Sequence, residues 1–137
     1  MKKIIFIIFI SMLVTSCFSL YDYGSDVIVD DYETLWIDLY ESRALKKGEI
    51  LVPAYVFAVG YDSKYIYSKQ HPLVENAAQK INREIIHYYI IERTVSGFQD
   101  KPVFGPFNKT DFEKKCVELA IKNPKFNLTF PTKWYFD

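Results

Sequence analysis

Ala54-Tyr55-Val56-Phe57-Ala58-Val59-Gly60-Tyr61-Asp62-Ser63-Lys64-Tyr65-Ile66-Tyr67-Ser68-Lys69-Gln70 is two runs of strand-forming residues around a short polar spacer. Valine, isoleucine and aromatic side chains suit a pleated, half-buried surface, and so short a spacer closes two such runs into an antiparallel hairpin. Ala54 to Tyr61 and Tyr65 to Gln70 are therefore read as paired strands, with Asp62-Ser63-Lys64 as the turn and His71-Pro72 as the stop.

Beyond the hairpin, Leu73 to Asn82 is a polar excursion whose Val74, Ala77, Ala78 and Ile81 are spaced for one or two helical turns. Glu84 to Thr94 holds Ile85, Ile86, Tyr88, Tyr89, Ile90 and Ile91. Apolar residues on both faces mark an interior strand. A loop from Ser96 to Pro102 leads to Val103-Phe104-Gly105-Pro106-Phe107, which brings the chain back and out of the sheet. A helix follows, capped either by Asn108 with Asp111 or by Thr110 with Glu113. Phe112, Cys116, Leu119 and Ala120 form its apolar stripe, and Pro124 stops it shortly after Lys122. Phe126 to Pro131 adds a last strand before Trp134-Tyr135-Phe136.

Toward the amino end, Ile50-Leu51-Val52 is a short apolar run closed by Pro53, which suggests an edge or a bend, and Ser42 to Gly48 is a basic turn. From Tyr32 to Glu41 the chain alternates. Leu35, Ile37 and Leu39 are assigned to the buried face and Trp36, Asp38 and Tyr40 to the open one. Residues 18–30, polar and aromatic around Gly24, are a tether entering the first strand. The expected fold is α+β: an antiparallel β-sheet of about five strands with one C-terminal helix packed on one face.

Lys2 and Lys3, the apolar run Ile4 to Val14, and Thr15-Ser16 before Cys17 have the order of a secretory leader. The run is far shorter than the roughly 20 residues that span a bilayer. Leu13-Val14-Thr15-Ser16-Cys17 resembles the lipobox of bacterial lipoproteins, which is the preferred reading over an ordinary secretory signal. That resemblance implies cleavage before Cys17, a diacylglycerol on its sulfur and an acylated amino group. Residues 1–16 are then a lipoprotein signal peptide, 17–31 a lipidated tether and 32–137 a single globular domain. The resemblance further implies a place in the bacterial cell envelope, outside the cytoplasm. Phe18 rather than aspartate after the cysteine permits an outer-membrane destination.

The 17 basic and 17 acidic residues of the whole chain balance; losing Lys2 and Lys3 with the leader leaves a slightly acidic domain with no basic footprint for nucleic acid. With Cys17 acylated, Cys116 is left alone, so no internal disulfide forms, and no metal-ligand spacing or cofactor motif is present. The lipobox, the hairpin segment Val59 to Gln70 and the junction Val103-Phe104-Gly105-Pro106-Phe107-Asn108 with Phe112 together resemble an uncharacterised family of small bacterial lipoproteins, a domain of unknown function. The likeness spans about residues 50–120. It supports the fold and transfers no activity.

Each chemical candidate has a plainer reading beside it. His87 lacks the further ligands a metal needs, His71 sits in a turn, and Cys116 lies on the apolar stripe, where a thiol behaves as a small hydrophobe. Asp30-Asp31 and the Asp22, Asp26 pair are solvated acids in the tether; Lys46-Lys47 and Lys114-Lys115 are exposed faces. The feature that departs from a plain core is aromatic: Trp36 and Tyr40 share one face, and Tyr65 and Tyr67 share one face of the hairpin. Cross-strand packing is the first account of them, a protein interface the second and sugar stacking the third. The expected function is a membrane-anchored, noncatalytic protein-binding module acting on an envelope partner. The alternative is a glycan-binding or hydrolytic protein whose site gathers distant residues, such as His87 with Glu84 or Glu92.

Overall fold

The computed structural model describes residues 22–77, 80–94 and 102–131. The hairpin forms as its sequence requires. Strands β5 (Val56–Tyr61) and β6 (Tyr65–Gln70) pair antiparallel. The Asp62 carboxylate accepts the amides of Lys64 and Tyr65, each at 2.8 Å, which pins the turn. Strand β7 (His87–Glu92) pairs along the whole of β6, from Tyr65 opposite Glu92 to Gln70 opposite His87. With β8 (Val103–Phe107) and the short β9 (Leu128–Thr129) this makes a five-stranded sheet in the order β8-β7-β6-β5-β9. Helix α1 (Lys109–Glu118) follows β8, and the Asn108 side chain caps it by accepting the Asp111 amide at 2.9 Å.

Four more strands make a second sheet where one sheet was expected. Strands β1 (Tyr23–Val29), β2 (Tyr32–Ile37), β3 (Ala44–Lys47) and β4 (Glu49–Val52) pair in chain order, each antiparallel to the next. Most of the described residues assigned to the tether are thus strand β1, and the basic turn is largely strand β3. Both were masked by polar content. The inward face of β1 is Gly24, Asp26 and Ile28, with one large apolar side chain among them. The inward face of β3 carries Lys47, whose apolar stem packs while its ammonium is paired.

Three layers result. Between the two sheets lie Ile28, Tyr32, Leu45, Val52, Val59, Ile66 and Ile91. On the other face of the five-stranded sheet, Tyr65, Tyr67, Tyr88 and Ile90 meet Phe112 and Cys116 of α1. Strands β6 and β7 are therefore covered on both sides, as the apolar run through Ile91 requires. The segment before β9 presses onto β5 at Gly60, where a Cβ would run into the Lys125 carbonyl.

Several expectations are corrected in detail. Strand β2 has the opposite phase: Tyr32 and Thr34 are buried, while Ile37 is 52% and Leu39 46% exposed. Apolar residues alternating with aromatic ones mark a strand without saying which set faces the core. The helix ends at Glu118, before Lys122, because Ala120 turns to φ 55° and is exposed rather than part of the stripe. In the excursion after β6 the described residues form turns and a single bridge between Leu73 and Ile81, with no helix. The leader, Cys17, most of the Ser96–Pro102 loop and Trp134-Tyr135-Phe136 lie outside the described residues.

Candidate functional site

Arg43 is 1% exposed, and one end of the sandwich is built around its charge. The guanidinium lies 4.0 Å from the Tyr40 ring centroid and 4.3 Å from that of Phe130. Its Nη1 donates to Thr34 Oγ1 at 2.9 Å and to the Asp26 carboxylate. Trp36 packs on Tyr40 with centroids 5.5 Å apart, and its ring covers Gly24, where a Cβ would stand 2.7 Å from it. Ring faces, a hydroxyl and a carboxylate offset the cost of withdrawing a guanidinium from water. Trp36 and Tyr40 are thus half-buried parts of an arginine seat, not a flat solvent face.

The opposite end of the same sandwich is held by polar groups. The Asp30-Asp31 pair forms the β1–β2 turn, with Asp30 at φ 51°. Asp30 accepts from Arg93 Nη2 at 2.6 Å, and Asp31 lies 3.5 Å from the Lys47 ammonium, which also donates to the Thr94 carbonyl at 2.6 Å. Lys47 is buried over the Tyr32 ring, contrary to the exposed face expected for Lys46-Lys47. Arg93 and Thr94 directly follow β7, so these acids clasp one sheet to the other.

The open surface of the molecule is the outer face of the first sheet. Tyr23 stands opposite Ile37, Ser25 opposite Leu35, and Val27 opposite Glu33. Glu33 in turn is opposite Lys46, and Lys46 opposite Ile50, so Val27, Glu33, Lys46 and Ile50 form one row across all four strands. Val27 is 72% and Ile50 62% exposed. Between them Lys46 Nζ lies 3.0 Å from the Glu33 carboxylate, and hydrogen bonding to Lys46 holds the Glu33 carboxyl below the ordinary carboxylate range. Exposed aliphatic side chains flanking a paired charge suit a surface that recognises something.

The other candidates resolve as packing. Tyr65 and Tyr67 are buried in the layer that holds Phe112 and Cys116 of α1, and Tyr67 meets Phe126 edge-on, in keeping with packing as the first account of them. Cys116 is buried, and burial followed by the Glu113 charge pushes its thiol up. His71 is buried, stacked on Phe57 at 4.3 Å, with Nδ1 3.0 Å from the Ile85 carbonyl. His87 begins β7 and Glu92 ends it, about 17 Å apart at the rise of a strand, so the strand holds these two apart. Burial lowers the His87 imidazole. Among the described residues no group of three or more His, Cys, Asp or Glu is placed to hold a metal ion, and no helix is long and apolar enough to cross a membrane.

Comparison with protein families matches residues 24–129 to a protein of unknown function, DUF3997. The chain belongs to the DUF3997 family. The match begins inside β1 and ends at the last residue of β9, so it covers both sheets and the helix, a wider span than residues 50–120. Comparison with curated proteins and with solved structures finds no match.

Sequence reasoning missed Arg43 and the Val27–Ile50 row. The signal for the row was the alternation of Tyr23, Ser25 and Val27 against Gly24, Asp26 and Ile28, which is legible only once β1 is known to be a strand. For Arg43 there was a weaker signal, an arginine directly before the apolar pair Ala44-Leu45.

Proposed function

We propose that this DUF3997 member is a lipid-anchored, noncatalytic binding module of the bacterial cell envelope, and that a protein partner docks on the outer face of its first sheet. The observation that carries this reading is the row Val27, Glu33, Lys46 and Ile50, with exposed aliphatic residues at both ends of a paired charge. A complementary partner buries the two aliphatic ends and offers polar groups to the central pair, the arrangement of an apolar anchor beside satisfied charges. Supporting the noncatalytic reading, His71, Cys116 and Arg43 are each engaged in packing or pairing. Supporting the anchor, the leader order and Leu13-Val14-Thr15-Ser16-Cys17 stand directly before the domain.

The test places a photo-crosslinker at Ile50 and, as control, at Val117, which is 80% exposed on the helix. The expected result is one envelope protein joined at Ile50 and not at Val117, whose purified form binds the Val27→Ser/Ile50→Ser variant at least about tenfold more weakly, the loss of roughly 1.4 kcal/mol. Equal capture at both positions, or undiminished binding by the variant, overturns the assignment. For the anchor, Cys17→Ala should leave the membrane fraction while keeping the wild-type melting temperature; retention on the membrane overturns it.

A further inference from the structure

We infer that the end of the first sheet formed by Tyr23, Ile37 and Leu39 rests on the bilayer surface, so that the anchored domain has a fixed posture rather than swinging on its lipid. The inference rests on the proposed acylation of Cys17. Six Cα–Cα steps separate Cys17 from Tyr23, a reach of at most about 20 Å even when fully extended. That reach keeps the membrane close to this end of the sheet.

What stands at that end is apolar and held in place. Tyr23 is 73% exposed and opposite Ile37, itself 52% exposed. The Asp38 amide donates to the Asp22 carbonyl at 2.6 Å, carrying the β1–β2 pairing to its limit. Asp38 then adopts φ 61°, and the Leu39 amide donates to the Ile37 carbonyl at 2.7 Å. The Ser42 hydroxyl, 2.6 Å from the Leu39 carbonyl, ties the loop back, leaving Leu39 46% exposed. A tyrosine with two aliphatic side chains on a braced edge suits the boundary between head groups and acyl chains. Asp22 and Asp38 are exposed beside them, so the contact favours zwitterionic over anionic lipid. Val27 lies four residues further along β1, about 13 Å away, which keeps the Val27–Ile50 row clear of the membrane.

The test uses the lipidated protein in phosphatidylcholine vesicles containing brominated lipid, with an environment-sensitive fluorophore on Tyr23→Cys, Ile37→Cys or Val117→Cys. The expected result is quenching at positions 23 and 37 at least about twofold deeper than at 117, as for groups entering the interface by 5–10 Å, and weaker quenching when phosphatidylglycerol is added. Equal quenching at all three positions on protein that floats with the vesicles overturns the inference and leaves the anchor standing. Protein that fails to float overturns the anchor itself, and with it this posture. Probes already shielded in unlipidated Cys17→Ala protein mean that residues of this chain cover the patch, and probes shielded only when envelope protein is added mean that a protein covers it. Either result overturns a bilayer contact.

Discussion

Asp26 and Arg43 are unequal partners, one half in water with its side chain 52% exposed and the other 1% exposed. Removing the exposed acid strands a buried charge, which costs about 3–5 kcal/mol, whereas replacing the buried arginine with an apolar side chain of similar length leaves Asp26 to the solvent and is near neutral. Denaturant melts should therefore rank Asp26→Ala well below Arg43→Met; the reverse order would remove the electrostatic account of the cluster. At Cys116 the raised thiol and its burial under α1 forecast slow reaction with a thiol reagent in native buffer and fast reaction after denaturation. Fast native labelling would place the sulfur at the surface. His87 sets a pH dependence. Its folded imidazole titrates below the ordinary value, so the unfolded chain takes up a proton first as pH falls. Stability should drop as pH falls through the window just beneath the ordinary imidazole value, and His87→Gln should flatten that slope.

At the level of single elements, β2 gives the sharpest test because its phase is the reverse of the one its aliphatic residues suggest. Ile37→Ser should leave the melting temperature nearly unchanged, within about 0.5 kcal/mol, as for surface positions. Thr34→Val should cost about 1–3 kcal/mol, since Thr34 is wholly buried and its hydroxyl accepts a hydrogen bond from the Arg43 guanidinium. Loss of the cap at α1 is milder: Asn108→Ala should cost about 1 kcal/mol. Strands β5, β6 and β7, the cap and the buried face of α1 were legible in the sequence, because there side-chain chemistry, turn residues and periodicity agree. Strands β1 and β3 were not, because their inward positions are taken by glycine, aspartate and basic stems whose burial depends on partners in other elements. The surroundings of the aromatic candidates were hidden for the same reason. Tyr65 and Tyr67 face α1, and nothing within the hairpin itself says that a helix will cover that side.

Across the whole molecule, the first sheet pairs each strand with its neighbour in the chain, while the second is closed from far away: Thr129 of β9 lies opposite Ala58 of β5. The Phe130 amide donates to the Phe57 carbonyl at 2.8 Å, and Phe130 also forms one wall of the arginine seat. A chain made from its amino end presents its meander first and this closing segment afterwards. Until the final residues arrive, β5 presents a bare row of amides and carbonyls, a template for another chain. A version ending at Lys125 should therefore form oligomers or aggregate rather than merely melt earlier, as size-exclusion chromatography would show. The short closing strand is what tells a newly made copy to stop recruiting strands and remain by itself.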